Sequence, residues 1–219
     1  MLGTVCRLGI LAVLVLLTGC VPPQSNIDYT AYRQSRPRSI LVLPPLNNSP
    51  DIRATYSFLS TVTRPLAEAG YYVFPVVLVD QTFKENGLMN PGEMHEAPLN
   101  KLWEIFGADA TLYITVTKYG ATYMILSSEV RVSADAKLVD NRTGQLLWHG
   151  TATASDAEGR SNSGGLVGAL ASALIHQVIS NVGDPGHAVA RTASNRLLMV
   201  KPNGLLYGPL SPLYEKTEP

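Results

Sequence analysis

A strictly alternating segment constrains the fold of this 219-residue chain more than any other feature. Over residues 130–138, apolar and polar side chains take turns: Val130, Val132, Ala134, Ala136 and Leu138 alternate with Arg131, Ser133, Asp135 and Lys137. Because successive side chains of a strand point to opposite faces, this pattern indicates a strand with one buried face and one wet face. Residues 140–144 supply turn formers, with Gly144 able to take a positive φ, and residues 145–154 return as the partner strand. The sequence therefore predicts an antiparallel hairpin.

The chain before the hairpin predicts a parallel pair of strands. Residues 40–43 form a continuous apolar run that Pro44 and Pro45 end, which is typical of a buried strand inside a sheet. A helix over about residues 53–69 follows, and residues 72–74 start a second strand. A strand, a helix and a strand in this order imply a crossover to a parallel neighbour.

Composition and the remaining elements complete the predicted fold. The chain is 46% hydrophobic and 16% charged, which favours a folded domain, and its 17 basic and 17 acidic residues leave no field that would attract nucleic acid. We predict an α/β fold, a single domain over residues 39–200 with a mixed sheet and carboxy-terminal helices. Its further elements are a short helix over residues 81–86, a helix over 99–106, a strand over 111–119, and helices over 166–182 and 186–199.

The first twenty residues have the pattern of a bacterial export signal. Arg7 precedes an apolar run over residues 8–17, which is too short to cross a bilayer but suits a signal peptide. The run ends in Leu-Thr-Gly-Cys at residues 17–20, which resembles the bacterial lipobox. The resemblance implies removal of residues 1–19 and attachment of acyl chains to Cys20, which would anchor the chain to a membrane. An ordinary signal peptide and an uncleaved anchor are the alternatives.

The residues around the proposed anchor carry two further expectations. Val21 follows Cys20 where an Asp would indicate retention at the inner membrane, so the outer membrane is favoured. Residues 20–38 show no periodic apolar pattern and are predicted to form a lipidated tether. The chain has two cysteines, Cys6 and Cys20, so the processed protein is expected to hold no disulfide and no thiolate metal site.

Two segments carry a family resemblance. One is Gly-Ala-Asp-Ala at residues 107–110, which leads into a strand, and the other is Lys-Leu-Val-Asp-Asn-Arg-Thr-Gly-Gln-Leu-Leu-Trp at residues 137–148. The pair resembles the amino-terminal domain of TolB and the curli-secretion group of envelope lipoproteins. With the lipobox and Leu-Pro-Pro at residues 43–45, the whole chain resembles a family of bacterial envelope lipoproteins of unknown function that includes a neisserial surface-antigen candidate. The resemblance implies a TolB amino-terminal-like fold and an envelope role, and it brings no catalytic residues.

The search for catalytic motifs predicts no enzyme. The glycine-rich stretch over residues 163–168 lacks the Lys and Ser/Thr of a phosphate-binding loop, and no G-x-S-x-G nucleophile turn occurs. Glu93, His95 and Glu96 are adjacent, but their spacing matches no metal-binding motif. We therefore expect no catalytic residue, no metal and no cofactor.

Two segments are candidates for contacts with a partner. Gly164, Gly168 and Ser172 fall on one face of the predicted helix over residues 166–182, and small residues four apart let two backbones approach closely. That face has two possible roles: it packs on the chain's own sheet, or it docks on a partner or a second copy of the chain. Residues 201–219 form a proline-rich tail, which lies either in a partner's groove or on its own domain.

Two functional hypotheses follow. The first is a non-enzymatic periplasmic lipoprotein, anchored to the outer membrane, that binds envelope proteins as an accessory of an assembly or secretion complex, with self-association left open. The second is a periplasmic hydrolase or small-ligand-binding protein that acts on cell-wall or lipid material. It requires a polar-lined pocket near Glu93 and Glu96, or at the strand ends around Pro44 and Asp80.

Overall fold

The computed structural model describes residues 27–123, 128–158 and 184–214. Four predictions fall outside these residues: the leader, the lipidation of Cys20, the helix over residues 166–182, and the face formed by Gly164, Gly168 and Ser172.

The described residues form six strands and six helices. The strands are β1 (Ser39–Val42), β2 (Leu46–Asn47), β3 (Tyr72–Val73), β4 (Ala110–Tyr123), β5 (Ser128–Asp140) and β6 (Leu146–Ser155). The helices are α1 (Thr30–Ser35), α2 (Ala54–Glu68), α3 (Val76–Glu85), α4 (Pro91–His95), α5 (Leu99–Phe106) and α6 (Pro185–Met199).

The strands form one mixed sheet in the order β3-β1-β4-β5-β6, with β2 pairing to β4 as well. Strand β1 is parallel to both β3 and β4, whereas β5 is antiparallel to both of its neighbours, β4 and β6. The predicted hairpin is the β5–β6 pair, in which Leu138 lies opposite Trp148, and Gly144 takes a φ of 72° in the turn. The α/β fold with a mixed sheet is therefore confirmed.

The sheet separates two apolar cores. All of residues 40–43 are fully buried, and their side chains alternate between the cores. Ile40 and Val42 enter the larger core, to which α2 and α6 contribute, and Leu41 and Leu43 enter the smaller one. The smaller core is completed by residues of α3, α4 and α5 and of the connection before β4, namely Val79, Phe83, Met94, Leu102 and Ala108.

The tether predicted for residues 20–38 does not extend to residue 38. Helix α1 contacts β6, and the aromatic rings of Tyr29 and Tyr32 are buried in the larger core, 7% and 3% exposed. Ser35 Oγ also donates a 2.6 Å hydrogen bond to Asp140 Oδ2 at the end of β5. Two buried tyrosines provide enough apolar area to fix a six-residue helix whose length is too short to show a period.

One helix differs from its predicted bounds, and another was not predicted. Helix α3 begins at Val76 rather than at residue 81, because Val79 and Phe83 place a buried stripe one turn apart. Helix α4 is not among the predicted elements, and it is started by a capping box between Asn90 and Glu93.

The described part of the tail docks on its own domain. Leu205 is 1% exposed in the larger core, and Trp148 Nε1 donates a 2.8 Å hydrogen bond to the carbonyl of Asn203. The amide of Gly208 donates to the carbonyl of Ala69 at 2.7 Å. Of the two predicted alternatives, residues 201–214 follow the intramolecular one.

Candidate functional site

A groove of about 400 Å³ opens between α3, α4 and α5 on the outer side of the smaller core. The walls and floor are mainly apolar, formed by Phe83, Leu88, Ala97, Leu102, Ile105 and Phe106. The floor is well packed, because the Phe106 ring lies 5.6 Å from the Phe83 ring and 6.3 Å from the Phe74 ring, measured between centroids. A packed floor of this kind keeps the groove open without a ligand.

Exposed apolar side chains extend the groove. Ile105, which lines it, is 53% exposed, and Leu78, one helical turn before the lining residue Thr82, is 58% exposed. Single exposed aliphatic residues are ordinary, whereas exposed aliphatic residues beside an apolar groove are typical of an interaction surface.

The segment that forms the groove is acidic although the whole chain is neutral. Residues 76–106 carry five carboxylates and two lysines, a formal charge of −3: Asp80, Glu85, Glu93, Glu96 and Glu104 against Lys84 and Lys101. Both lysines are already paired within their own helices, Lys84 with Asp80 and Lys101 with Glu104, each at 2.6 Å. Glu93, Glu96 and Lys101 line the groove, and because Lys101 is paired with Glu104, the two glutamates give the rim a net negative charge.

The residues singled out near position 93 have structural roles. Glu93 accepts a 2.7 Å hydrogen bond from the amide of Met89 and closes the cap of α4. His95 Nε2 donates to the carbonyl of Pro44 at 2.9 Å, and its ring meets the Tyr113 ring edge-on at 5.3 Å. Burial lowers the pKa of His95, and the charge of Lys137 lowers it further, so the imidazole is neutral at pH 7.

The polar-lined pocket that the second hypothesis requires is not formed by these residues. Asp80 accepts hydrogen bonds from Lys84 at 2.6 Å and from Tyr56 at 3.3 Å, so its carboxylate is occupied. The concavity beside Glu93 and Glu96 exists, but its surface is mainly apolar. Within residues 27–123, 128–158 and 184–214, no three His, Cys, Asp or Glu side chains are grouped to hold a metal ion.

Sequence reasoning missed one polar cluster, which joins α2, β4 and α6. Ser57 Oγ lies 2.5 Å from Tyr119 Oη and 3.1 Å from His187 Nδ1, and Tyr119 Oη donates to Asp184 Oδ2 at 3.0 Å. Burial raises the pKa of the Tyr119 phenol. The carboxylate of Asp184 accepts its side-chain hydrogen bond from Tyr119 and not from His187. The three side chains therefore do not form the Ser-His-Asp hydrogen-bond sequence of a catalytic triad. No sequence signal marks these residues, because they lie up to 130 positions apart.

Among the described helices, none combines the length and the apolar character needed to cross a membrane.

The fold and the groove define an α/β domain built on a mixed sheet, with an apolar groove on its outer side. Residues 27–210 match the family model described as "Putative lipoprotein GNA1162-like", and the chain belongs to this lipoprotein family. This confirms the resemblance to envelope lipoproteins that the sequence motifs indicated.

Two relatives show how far the similarity extends. The "Putative lipoprotein NMB1124/NMB1162" of Neisseria meningitidis serogroup B (strain ATCC BAA-335 / MC58) is 49% identical over 203 residues, which are 92% of this chain and 94% of the relative. The crystal structure of lipoprotein GNA1162 from Neisseria meningitidis matches with a TM-score of 0.54 and 51% identity, over 66% of this chain and 100% of that one.

Proposed function

We propose that this chain is a non-enzymatic periplasmic lipoprotein, anchored to the outer membrane through Cys20, whose domain binds envelope proteins as an accessory of an assembly or secretion complex. The observation that carries the proposal is the apolar groove between α3, α4 and α5, with Leu78 and Ile105 exposed beside it. Apolar surface that stays open to solvent lowers solubility, and a domain that keeps it needs it for contact with a partner.

The anchor and the domain are close in the chain. Membership of a lipoprotein family supports lipidation at Cys20, and the described domain begins at Ile27. Seven residues span at most about 25 Å when fully extended. An anchored domain would thus stay near the membrane surface, within reach of membrane-bound partners.

The second candidate is a protein that binds a small molecule derived from cell-wall or lipid material. One observation favours it, namely the groove volume of about 400 Å³, which is within the size range of small-ligand sites. A ligand that binds only the folded state raises the melting temperature, and above Kd the rise grows with the logarithm of the ligand concentration. We expect no such rise with fatty acids or peptidoglycan fragments, and a dose-dependent rise that Ile105→Asp abolishes would favour this candidate.

Crosslinking in the bacterium tests the proposed function. The full-length protein is expressed at its natural level, and a photo-reactive amino acid replaces exposed residues on several faces. We expect a discrete adduct with the same envelope protein in repeated experiments, and its loss in a Cys20→Ser variant that no longer fractionates with membranes. Recovery of monomer alone, at every position and with several crosslinking chemistries, would overturn the proposal.

A further inference from the structure

We propose that the groove between α3, α4 and α5 binds an amphipathic helix of a partner protein, one that carries Lys or Arg beside its aliphatic anchors. This inference rests on the proposed partner-binding function and deepens it by naming the chemistry of the partner segment.

The shape of the groove fits a helix. The groove is lined by Thr82 and Phe83 of α3 with the following Asn86, and by Leu102, Ile105 and Phe106 of α5. Both sets have the three- and four-residue spacing of one helix face, so each helix borders the groove with one face. With the exposed Leu78, one turn before Thr82, the border over residues 78–86 is about 12 Å long, which is enough to contact about two turns of a third helix.

The charge of the groove selects the partner. Glu93, Glu96 and Lys101 line it, and Lys101 is paired with Glu104 at 2.6 Å, so the lining has a net negative charge. A helix with basic residues at its flank would complement this rim, and an acidic helix would be repelled. The same negative charge opposes adsorption to an anionic lipid surface, which requires basic residues on the protein.

The described tail does not occupy this groove. Leu205 is buried in the larger core and the amide of Leu210 donates to the carbonyl of Gly70. Residues 201–214 thus pack on the larger core, and the groove belongs to the smaller one. The exposed Ile105 side chain is available to another molecule.

Two synthetic peptides test the inference on the full-length lipoprotein in detergent micelles. Both are helical peptides of about 15 residues with leucines at positions i, i+3, i+4 and i+7, and they differ only in carrying Lys or Glu at the flanking positions. We expect the Lys peptide to bind about tenfold more tightly than the Glu peptide, with a preference that shrinks as salt rises. Titration calorimetry gives both affinities.

Variants locate the binding site. Ile105→Asp is expected to lower the affinity for the Lys peptide by about tenfold or more. Glu96→Gln is expected to reduce the ratio between the affinities for the Lys and Glu peptides. The matched control is Ile52→Asp, because Ile52 is an isoleucine 90% exposed before α2, outside the groove, and it should leave both affinities unchanged. Circular dichroism melts establish that each variant folds.

Several results would overturn the inference. These are equal affinities for the two peptides, unchanged binding in Ile105→Asp, adsorption to phosphatidylglycerol vesicles that Ile105→Asp abolishes, or a dimer in light scattering that the same substitution dissociates. If the peptides do not bind the groove, but photo-crosslinking from another face of the domain yields an adduct with an envelope protein, the inference is wrong and the proposed function stands. If the peptides bind as expected but no envelope adduct forms, the proposed function falls and the groove's specificity stands.

Discussion

The phenol oxygens of Tyr32 and Tyr71 lie 2.6 Å apart in the larger core, and Tyr71 Oη donates onward to the carbonyl of Leu206 at 2.7 Å. Burial raises the pKa of both phenols, so both remain protonated and act as hydrogen-bond donors. One short chain of hydrogen bonds therefore joins α1, the segment before β3 and the tail. Both ends of the described chain are parts of the folded domain.

Removal of the Tyr71 hydroxyl should lower the free energy of unfolding more than removal of the Tyr32 hydroxyl. Tyr71→Phe leaves the buried Tyr32 hydroxyl and the Leu206 carbonyl without their partner, and we expect it to lower the free energy of unfolding by about 2–3 kcal/mol. Tyr32→Phe leaves the Tyr71–Leu206 bond intact and should cost about 1 kcal/mol. Urea unfolding measures both, and equal losses would show that the chain of hydrogen bonds is not formed.

The docking of the tail predicts a contrast between two leucines. Leu205 is 1% exposed and Leu210 is 72% exposed. We expect Leu205→Ala to cost about 2–4 kcal/mol by opening a cavity in the core. Leu210→Ala, the matched control, should change stability by less than about 0.5 kcal/mol. A Leu205→Ala protein as stable as the control would mean that the tail is not docked in solution.

Two glycines test the same docking from the domain side. Gly70 and Gly87 have similar left-handed φ values, 91° and 86°, so alanine is strained at both by about 1 kcal/mol. A Cβ on Gly70 would lie 2.6 Å from the Ser211 Cβ, whereas nothing is within 4 Å of one on Gly87. Gly70→Ala should therefore lower the melting temperature well beyond Gly87→Ala. Similar melting temperatures for the two variants would argue against the contact with the tail.

The lowered pKa of His95 predicts a pH dependence of stability. In the unfolded chain the imidazole takes up a proton near pH 6.5, but the buried ring in the folded domain takes it up only at lower pH. The unfolded state binds more protons in this window, so stability is full above pH 6.5 and declines as pH falls below it. His95→Gln keeps a donor for the Pro44 carbonyl and cannot titrate. Between pH 7.5 and 5.5 its stability should decline less than that of the unchanged protein, and parallel declines would contradict the assignment.

The sequence predicted the elements whose burial pattern is local. The alternation through Val130–Leu138 identified β5, and Gly107 marked the end of α5, where it takes a φ of 66°. Helix α1 was missed because its anchor, Tyr32, makes its buried contacts with residues distant in sequence. The same reason hid the polar cluster around Ser57.

The groove could not be predicted because three helices create it jointly. Ile105 and Phe83 belong to separate elements, and nothing in either local sequence states that they line one cavity. The second hypothesis required a polar-lined pocket near Glu93 and Glu96, whereas the structure has a mainly apolar groove with an acidic rim there. Local patterns predict which face of a helix is buried. They do not predict the size or the lining of a groove between two helices.

The chemical state of the amino-terminal residue decides whether the domain is tethered at the membrane, as the proposed function requires. The protein is extracted from the membranes of the producing bacterium, and its amino-terminal peptide is analysed by mass spectrometry. We expect a chain that begins at Cys20 with a diacylglyceryl group on the sulfur and an acyl group on the amino nitrogen. A leader still attached, or a free thiol on residue 20, would contradict it.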